Sequence, residues 1–276
     1  MIEPYLAALR AYPVSQRIRI HSERVLRRVR EPLLRTNAEL PPDVAIVVRG
    51  SLARGDFCPY SDIDLSFVTA AAASLSAQHI GATLTARTGV EVAVHAVPPS
   101  FAASTPMWES LFWALHGRFI GGSADTYREF RATAQAVVGA LNAATLVAMW
   151  LRDERREYLG RVDDPLRTNV KRGLGGILDW DYVNLVCAWA RLTRRGQARY
   201  LLARQQSRMM FWYLRLLKFH LHTLHRAARE TPLDDHIRAR SGRTALPGLL
   251  AQSTFESIQT EHRGVVEDIH RLLRGE

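Results

Sequence analysis

Residues 50–65 read G-S-L-A-R-G-D-F-C-P-Y-S-D-I-D-L, and this stretch decides the fold. An apolar β-branched run, Val44 to Val48, precedes it, and a second apolar run leads from Asp62-Ile63-Asp64 to Phe67 and Val68. Residues two apart on a strand point to the same face. A strand here therefore carries Asp62 and Asp64 side by side and turns Ile63 and Leu65 toward the core. Two carboxylates so close repel each other unless a cation neutralises them, and Mg²⁺ takes carboxylate oxygens together with substrate phosphates. Gly50 and Ser51 open a turn between the two runs, which offers backbone N–H groups and close approach to a triphosphate. The stretch joins a phosphate cradle to a metal-binding carboxylate pair.

Outward from it, residues 2–37 predict two helices broken near Pro13. In the second, Ile18, Ile20, Val25, Leu26, Val29 and Leu33 interleave with Arg17, Arg19, Arg27, Arg28 and Arg30. This pattern gives an apolar face for packing and a basic face for solvent. Pro41-Pro42 ends that section before the first strand. Ala70 to Arg87 reads as a crossover helix, and Val90 to Val97 reads as a third strand with Glu91, Ala93 and His95 on one face. From Phe101 the pattern becomes helical, with an amphipathic segment from Met107 to His116 and a helix from about Asp125. No charged residue falls between Arg131 and Arg152. Thr133, Gln135, Asn142 and Thr145 interrupt that run, so a buried helix, or two joined near Gly139, is expected rather than a membrane span.

A second glycine-bearing stretch, Asn169 to Asp181, reads N-V-K-R-G-L-G-G-I-L-D-W-D. Gly173, Gly175 and Gly176 form a turn before a helix that starts near Ile177. A helix N-terminus after such a turn is an anion site by geometry and dipole, and Lys171 and Arg172 add charge. A plain connecting loop accounts for the same residues. The tract from Gln197 to Glu230 is one long helix. Its His220, His222 and His225 do not share a helical face, so they make no metal site. A loop is expected over residues 238–247 and a last helix from about Phe255 to Leu273.

A chain of 276 residues holds one large or two modest domains. The net charge is +10, yet nearly all of the positive charge is arginine, since Lys171 and Lys218 are the two lysines. A GC-rich genome alone biases toward arginine, so the charge suits phosphate handling without demonstrating nucleic-acid binding. Two cysteines, Cys58 and Cys187, build neither a structural zinc site nor a disulfide framework. With no basic-then-apolar leader at Met1-Ile2-Glu3-Pro4, a reducing cytoplasm is the expected compartment.

The string G-S…S-D-I-D-L resembles the signature of the polymerase β-type nucleotidyltransferase superfamily. The fuller R-G-D-F-C-P-Y-S-D-I-D-L is most similar to the nucleotidyltransferase half of the bacterial PII protein uridylyltransferases. N-V-K-R-G-L-G-G-I-L-D resembles a motif of their helical domain, with Leu178 where that family usually has arginine. The tract around Phe211 to His222 resembles a third segment loosely. The resemblance implies an α+β protein: a small mixed-sheet core with N-terminal helices over residues 1–100, then an all-α helical domain over 101–276, with the active site in the cleft between them.

The resemblance also implies site residues. Asp62, Asp64 and Glu91, the last taken from the neighbouring strand, would be catalytic and would hold two Mg²⁺ ions (Mn²⁺ being the alternative) about 3.5–4 Å apart. Gly50, Ser51, Arg54 and Ser61 would bind the nucleotide from the core, and Lys171, Gly175 and Gly176 from the helical side. The substrate would be ATP or UTP, and the acceptor a protein, a small molecule (as in antibiotic nucleotidyltransferases) or an RNA. The sequence has no His-Asp dipeptide, which the uridylyltransferases' hydrolase domain needs, so neither hydrolase nor sensor modules are expected.

Overall fold

In the computed structural model, residues 13–37, 40–58, 61–72, 76–104, 107–152, 170–172, 174–225 and 252–275 are described. The expected loop at 238–247 and the side chains of His220, His222 and His225 lie outside them. The chain divides into two compact units, the first being Gln16–Ala140, while the described residues from Leu141 onward belong to the second.

The first unit is built on a four-stranded mixed sheet in the order β3-β2-β1-β4. Its strands are β1 (Ala45–Val48), β2 (Ile63–Val68), β3 (Val92–Val97) and β4 (Arg118–Gly122). β1 pairs antiparallel with β2 and with β4, whereas β2 and β3 run parallel. The parallel pair requires a crossover, which α3 (Ala77–Thr88) supplies. This is the small mixed sheet expected for an α+β protein.

One face of the sheet is the core. Ile46, Val48, Ile63, Leu65 and Phe67 pack there with Leu84 of α3 and with Val25, Leu26, Val29 and Leu33 of α1 (Pro13–Asn37). These α1 positions recur at helical spacing, and Arg27, Arg28 and Arg30 are exposed as that spacing predicts. Between β1 and β2 lies the short helix α2 (Gly50–Arg54), which ends at Gly55 in the left-handed conformation with φ 78°. After α4 (Phe101–Ser104) and α5 (Trp108–His116) the chain returns to the sheet as β4, then continues into α6 (Ala124–Ala140). The unit therefore extends to Ala140 rather than stopping at residue 100, because β4 is an integral strand beside β1.

The second unit contains α7 (Ala143–Leu151), α8 (Ile177–Leu192), α9 (Gln197–His225) and α10 (Gln252–Arg274). The uncharged run is thus two helices, α6 and α7. They part at Leu141-Asn142 rather than at Gly139, because Asn142 caps α7 by accepting the Thr145 N–H at 2.8 Å. α8 is buried almost throughout, with Tyr182, Val183, Leu185, Val186 and Trp189 enclosed. Among the described residues no single helix is long and apolar enough to cross a membrane.

Candidate active site

The sheet's other face carries the polar residues. Asp64 and Ser66 alternate with buried Ile63, Leu65 and Phe67 along β2. Asp64 is half-buried, and Asp62, just ahead of the strand, is exposed. The β2–β3 register sets Asp64 beside Ala93 and Ser66 beside His95. Carried back one residue, it sets Asp62 level with Glu91, whose carbonyl accepts the Ile63 N–H at 2.8 Å. The side chains go no further toward the expected triad. Among the described residues no three His, Cys, Asp or Glu side chains come together in a cluster that could hold a metal ion. Asp62 and Asp64 share the start of one strand, and Glu91 is adjacent to them in register.

Gly50 shapes the space beside this pair. Its φ is +58°, a conformation that glycine adopts without steric cost, and a Cβ there would collide with Asp64 Oδ2. The N–H groups of Gly50, Ser51 and Leu52 meet no acceptor among the described residues. One half-buried and one exposed carboxylate, with open N–H donors nearby, fit a hard divalent cation that completes its shell from water and phosphate oxygens.

The rest of the loop is occupied with holding itself. Arg54 Nε donates to Asp56 Oδ1 at 3.1 Å, with side-chain exposures of 11% and 0%. Arg54 is therefore committed to a buried carboxylate, which sequence position alone did not reveal. The Asp56 N–H donates to Ser51 C=O at 2.8 Å. Ser61 is buried, and its Oγ accepts the Cys58 N–H at 3.3 Å. Ser22 of α1 accepts the Phe57 N–H at 2.9 Å and fastens the loop to the core helix.

Arg49, a residue the sequence reading passed over, ends the edge of β1. Its N–H donates to Asp64 C=O at 2.8 Å, and its guanidinium lies 4.7 Å from the centre of the Trp113 ring. Burial pulls its pKa down, while the carboxylates of Asp64 and then Asp62 pull it back up. His95 responds to the same groups: burial and then the Arg49 charge lower its pKa, and Asp64 opposes them. The signal that could have identified Arg49 is its place as the last residue before the Gly50 turn. An antiparallel return from that turn sets it against the second aspartate.

The second glycine stretch belongs to the second unit. Gly175 has φ +77°, and a Cβ there would strike the Gln259 carbonyl of α10. The Gly175 N–H donates to Asp179, a fully buried carboxylate. The N–H groups of Ile177, Leu178 and Asp179 donate to the carbonyls of Val170, Lys171 and Gly176 at 3.0, 3.1 and 3.2 Å. Lys171 is half-buried, and Gly176 is the N-cap of α8. The Gly175 carbonyl accepts from His262 Nδ1 of α10 at 2.8 Å, and the other ring nitrogen meets Ser207 Oγ of α9. His262 is fully buried, which lowers its pKa, while Asp179 and the Gly175 hydrogen bond act in the opposite direction. The N–H groups of Gly175, Ile177, Leu178 and Asp179 are thus engaged inside the unit.

Residues 28–100 match a family described as the nucleotidyltransferase domain. Over 236 residues the chain is 27% identical to a bifunctional uridylyltransferase/uridylyl-removing enzyme of Novosphingobium aromaticivorans, covering 80% of this chain and 25% of that protein. The chain thus spans about a quarter of that relative's length. The polymerase β-type resemblance is borne out in the matched domain, and the uridylyltransferase resemblance as a weak homology. A stretch of the chain thus matches a nucleotidyltransferase domain, and the wider similarity to the uridylyltransferase is weak.

Proposed function

We propose that the protein moves a nucleoside monophosphate from a nucleoside triphosphate to an acceptor hydroxyl, with Asp62 and Asp64 as its metal-binding carboxylates. The observation that carries this reading is their placement at the start of β2, with Asp64 lying close against the glycine turn at Gly50, inside the matched domain. The acceptor oxygen bonds to the α-phosphorus as the bond from that phosphorus to the α–β bridging oxygen breaks. Pyrophosphate leaves with the electron pair, and the acceptor's proton passes to a carboxylate or to solvent. A bound Mg²⁺ or Mn²⁺ would withdraw charge from the phosphoryl oxygens and make the acceptor hydroxyl more acidic. Asp62 and Asp64 would hold that ion. The missing Cβ at Gly50 lets the Asp64 carboxylate lie against the turn, and the open N–H groups of Gly50, Ser51 and Leu52 suit phosphate oxygens. Arg54 supports the loop through Asp56.

Similarity to a uridylyltransferase favours UTP as donor, and the resemblance of residues 54–65 to the PII protein uridylyltransferases favours a hydroxyl on a protein as acceptor. An RNA acceptor is the second reading, favoured by the net charge of +10. The test is incubation with each labelled NTP, Mg²⁺ and cell lysate, followed by separation of protein, RNA and small molecules. Label in one fraction that disappears with Asp64→Asn supports the reading and names the acceptor class. No Asp64-dependent label with any of the four NTPs sinks it.

A further inference from the structure

The β1–β2 register, carried one residue past Val48↔Leu65, sets Arg49 directly opposite Asp64. The 2.8 Å bond from Arg49 N–H to Asp64 C=O follows from that pairing. Directly opposite residues on an antiparallel pair share a face, with Cβ atoms about 4.5–5.5 Å apart. Behind the guanidinium is an aromatic wall: Trp113 lies under it, itself packed on Phe101 at 5.2 Å and Phe130 at 5.5 Å. Arg49 Nε is buried and has no hydrogen-bond partner. A guanidinium keeps its charge in proteins, so a cation without a direct ion pair stands within electrostatic reach of two carboxylates that repel each other.

We propose that Arg49 is the resident counter-cation of the Asp62–Asp64 pair, a positioning residue that cancels one carboxylate charge and makes cation binding depend on the triphosphate. This rests on reading the pair as metal ligands. With Arg49 in place the pair presents a net charge near −1, a poor site for a bare divalent ion. A nucleoside triphosphate brings several negative charges of its own, and these outweigh the arginine. The site is then organised without metal and favours a cation that arrives with its nucleotide.

The test is Mn²⁺ binding by electron paramagnetic resonance, with the whole chain and no nucleotide. Arg49→Gln and Arg49→Met, the second keeping an aliphatic stem over Trp113, should each bind Mn²⁺ about tenfold more tightly than wild type. That factor is what one charge imposes on a divalent ion at about 6 Å in a water-like dielectric. Arg49→Lys, which keeps the charge, should bind as wild type does, and adding Asp64→Asn to Arg49→Gln should abolish the gain. Unchanged or weaker Mn²⁺ binding in a folded neutral variant overturns the proposal. So does a tenfold gain in Arg49→Lys, which settles the matter even if both neutral variants fail to fold. Asp64-dependent transfer by wild type together with no gain in the neutral variants defeats this inference and leaves the proposed function standing. No Asp64-dependent transfer at all defeats the function instead.

Discussion

The two glycine turns look alike in sequence and differ in who uses their N–H groups. At Gly50 the first N–H groups of α2 meet no acceptor among the described residues, and the missing Cβ makes room for the half-buried Asp64 carboxylate. At Gly175 the carboxylate of Asp179 takes the turn's own N–H, and three following donors go to carbonyls of the same stretch. The missing Cβ there makes room for the Gln259 backbone instead of a ligand. A glycine before a helix is thus an anion site only when the chain leaves its donors unspent. The first turn brings its glycine against the carboxylate proposed to hold metal, and the second brings its glycine against the backbone of α10.

The comparison breaks most visibly at the carboxylates. Asp62→Asn and Asp64→Asn should each lower transfer by about a thousandfold or more, since metal-borne charge stabilisation is worth several kcal/mol. Melting temperatures should stay close to wild type, because neither change opens a cavity. Turnover near wild type in saturating Mg²⁺ would remove the first turn from the chemistry. Next comes Arg54, in the same loop but structural. Removing it by Arg54→Met takes the arginine's charge away from the fully buried Asp56 carboxylate and should cost about 3 kcal/mol of stability. Denaturant unfolding measures that loss. The affinity of the folded fraction for NTP should change little, and a large rise in KM with unchanged stability would return Arg54 to the phosphates.

What the sequence revealed follows from the range of each interaction. β1, β2 and the Asp62/Asp64 alternation are written in adjacent residues, so pattern sufficed. β4 was missed because Arg118–Gly122 reads R-F-I-G-G, without alternation, and gains its strand character from pairing with β1, where the register shifts between Ile46 and Val47. Arg49 was missed because its significance depends on the strand opposite, 15 residues on at Asp64. Arg54 was assigned to phosphate from the resemblance of its loop to a family string, and such a string does not show that Asp56 is buried against it. The second turn misled for the same reason. Its motif is local, but Gln259 and His262, which fill the space around Gly175, lie more than 80 residues away.

A smaller effect is expected at Gly175 itself. Gly175→Ala forces a Cβ into a left-handed position and against the Gln259 carbonyl, for a loss of about 2–3 kcal/mol. Thermal unfolding should shift accordingly, with NTP affinity per folded molecule unaltered. A stable variant with weakened NTP binding would show that the second turn is a ligand site after all, and the contrast between the turns would dissolve.

The finest test is the pH response of the packing around that turn. His262 donates from Nδ1 to Gly175 C=O, so a neutral ring must accept at Nε2 from Ser207 Oγ. Its folded pKa is depressed by burial, so the unfolded chain binds the proton more readily. Stability therefore rises with pH where the unfolded state holds more protons. The contribution is fully present above the unfolded value of about 6.5 and is lost as pH falls below it. Melting of the wild type should drop between pH 7.5 and pH 5, and His262→Asn, which keeps a donor for Gly175, should flatten part of that slope. His21 in the first unit is lowered by burial as well, but it is common to both proteins and cancels in the difference. Identical slopes in wild type and variant would mean that His262 takes up its proton without disturbing the turn. The Gly175 node would then be looser than its buried hydrogen bonds imply, and closer in kind to the open turn at Gly50.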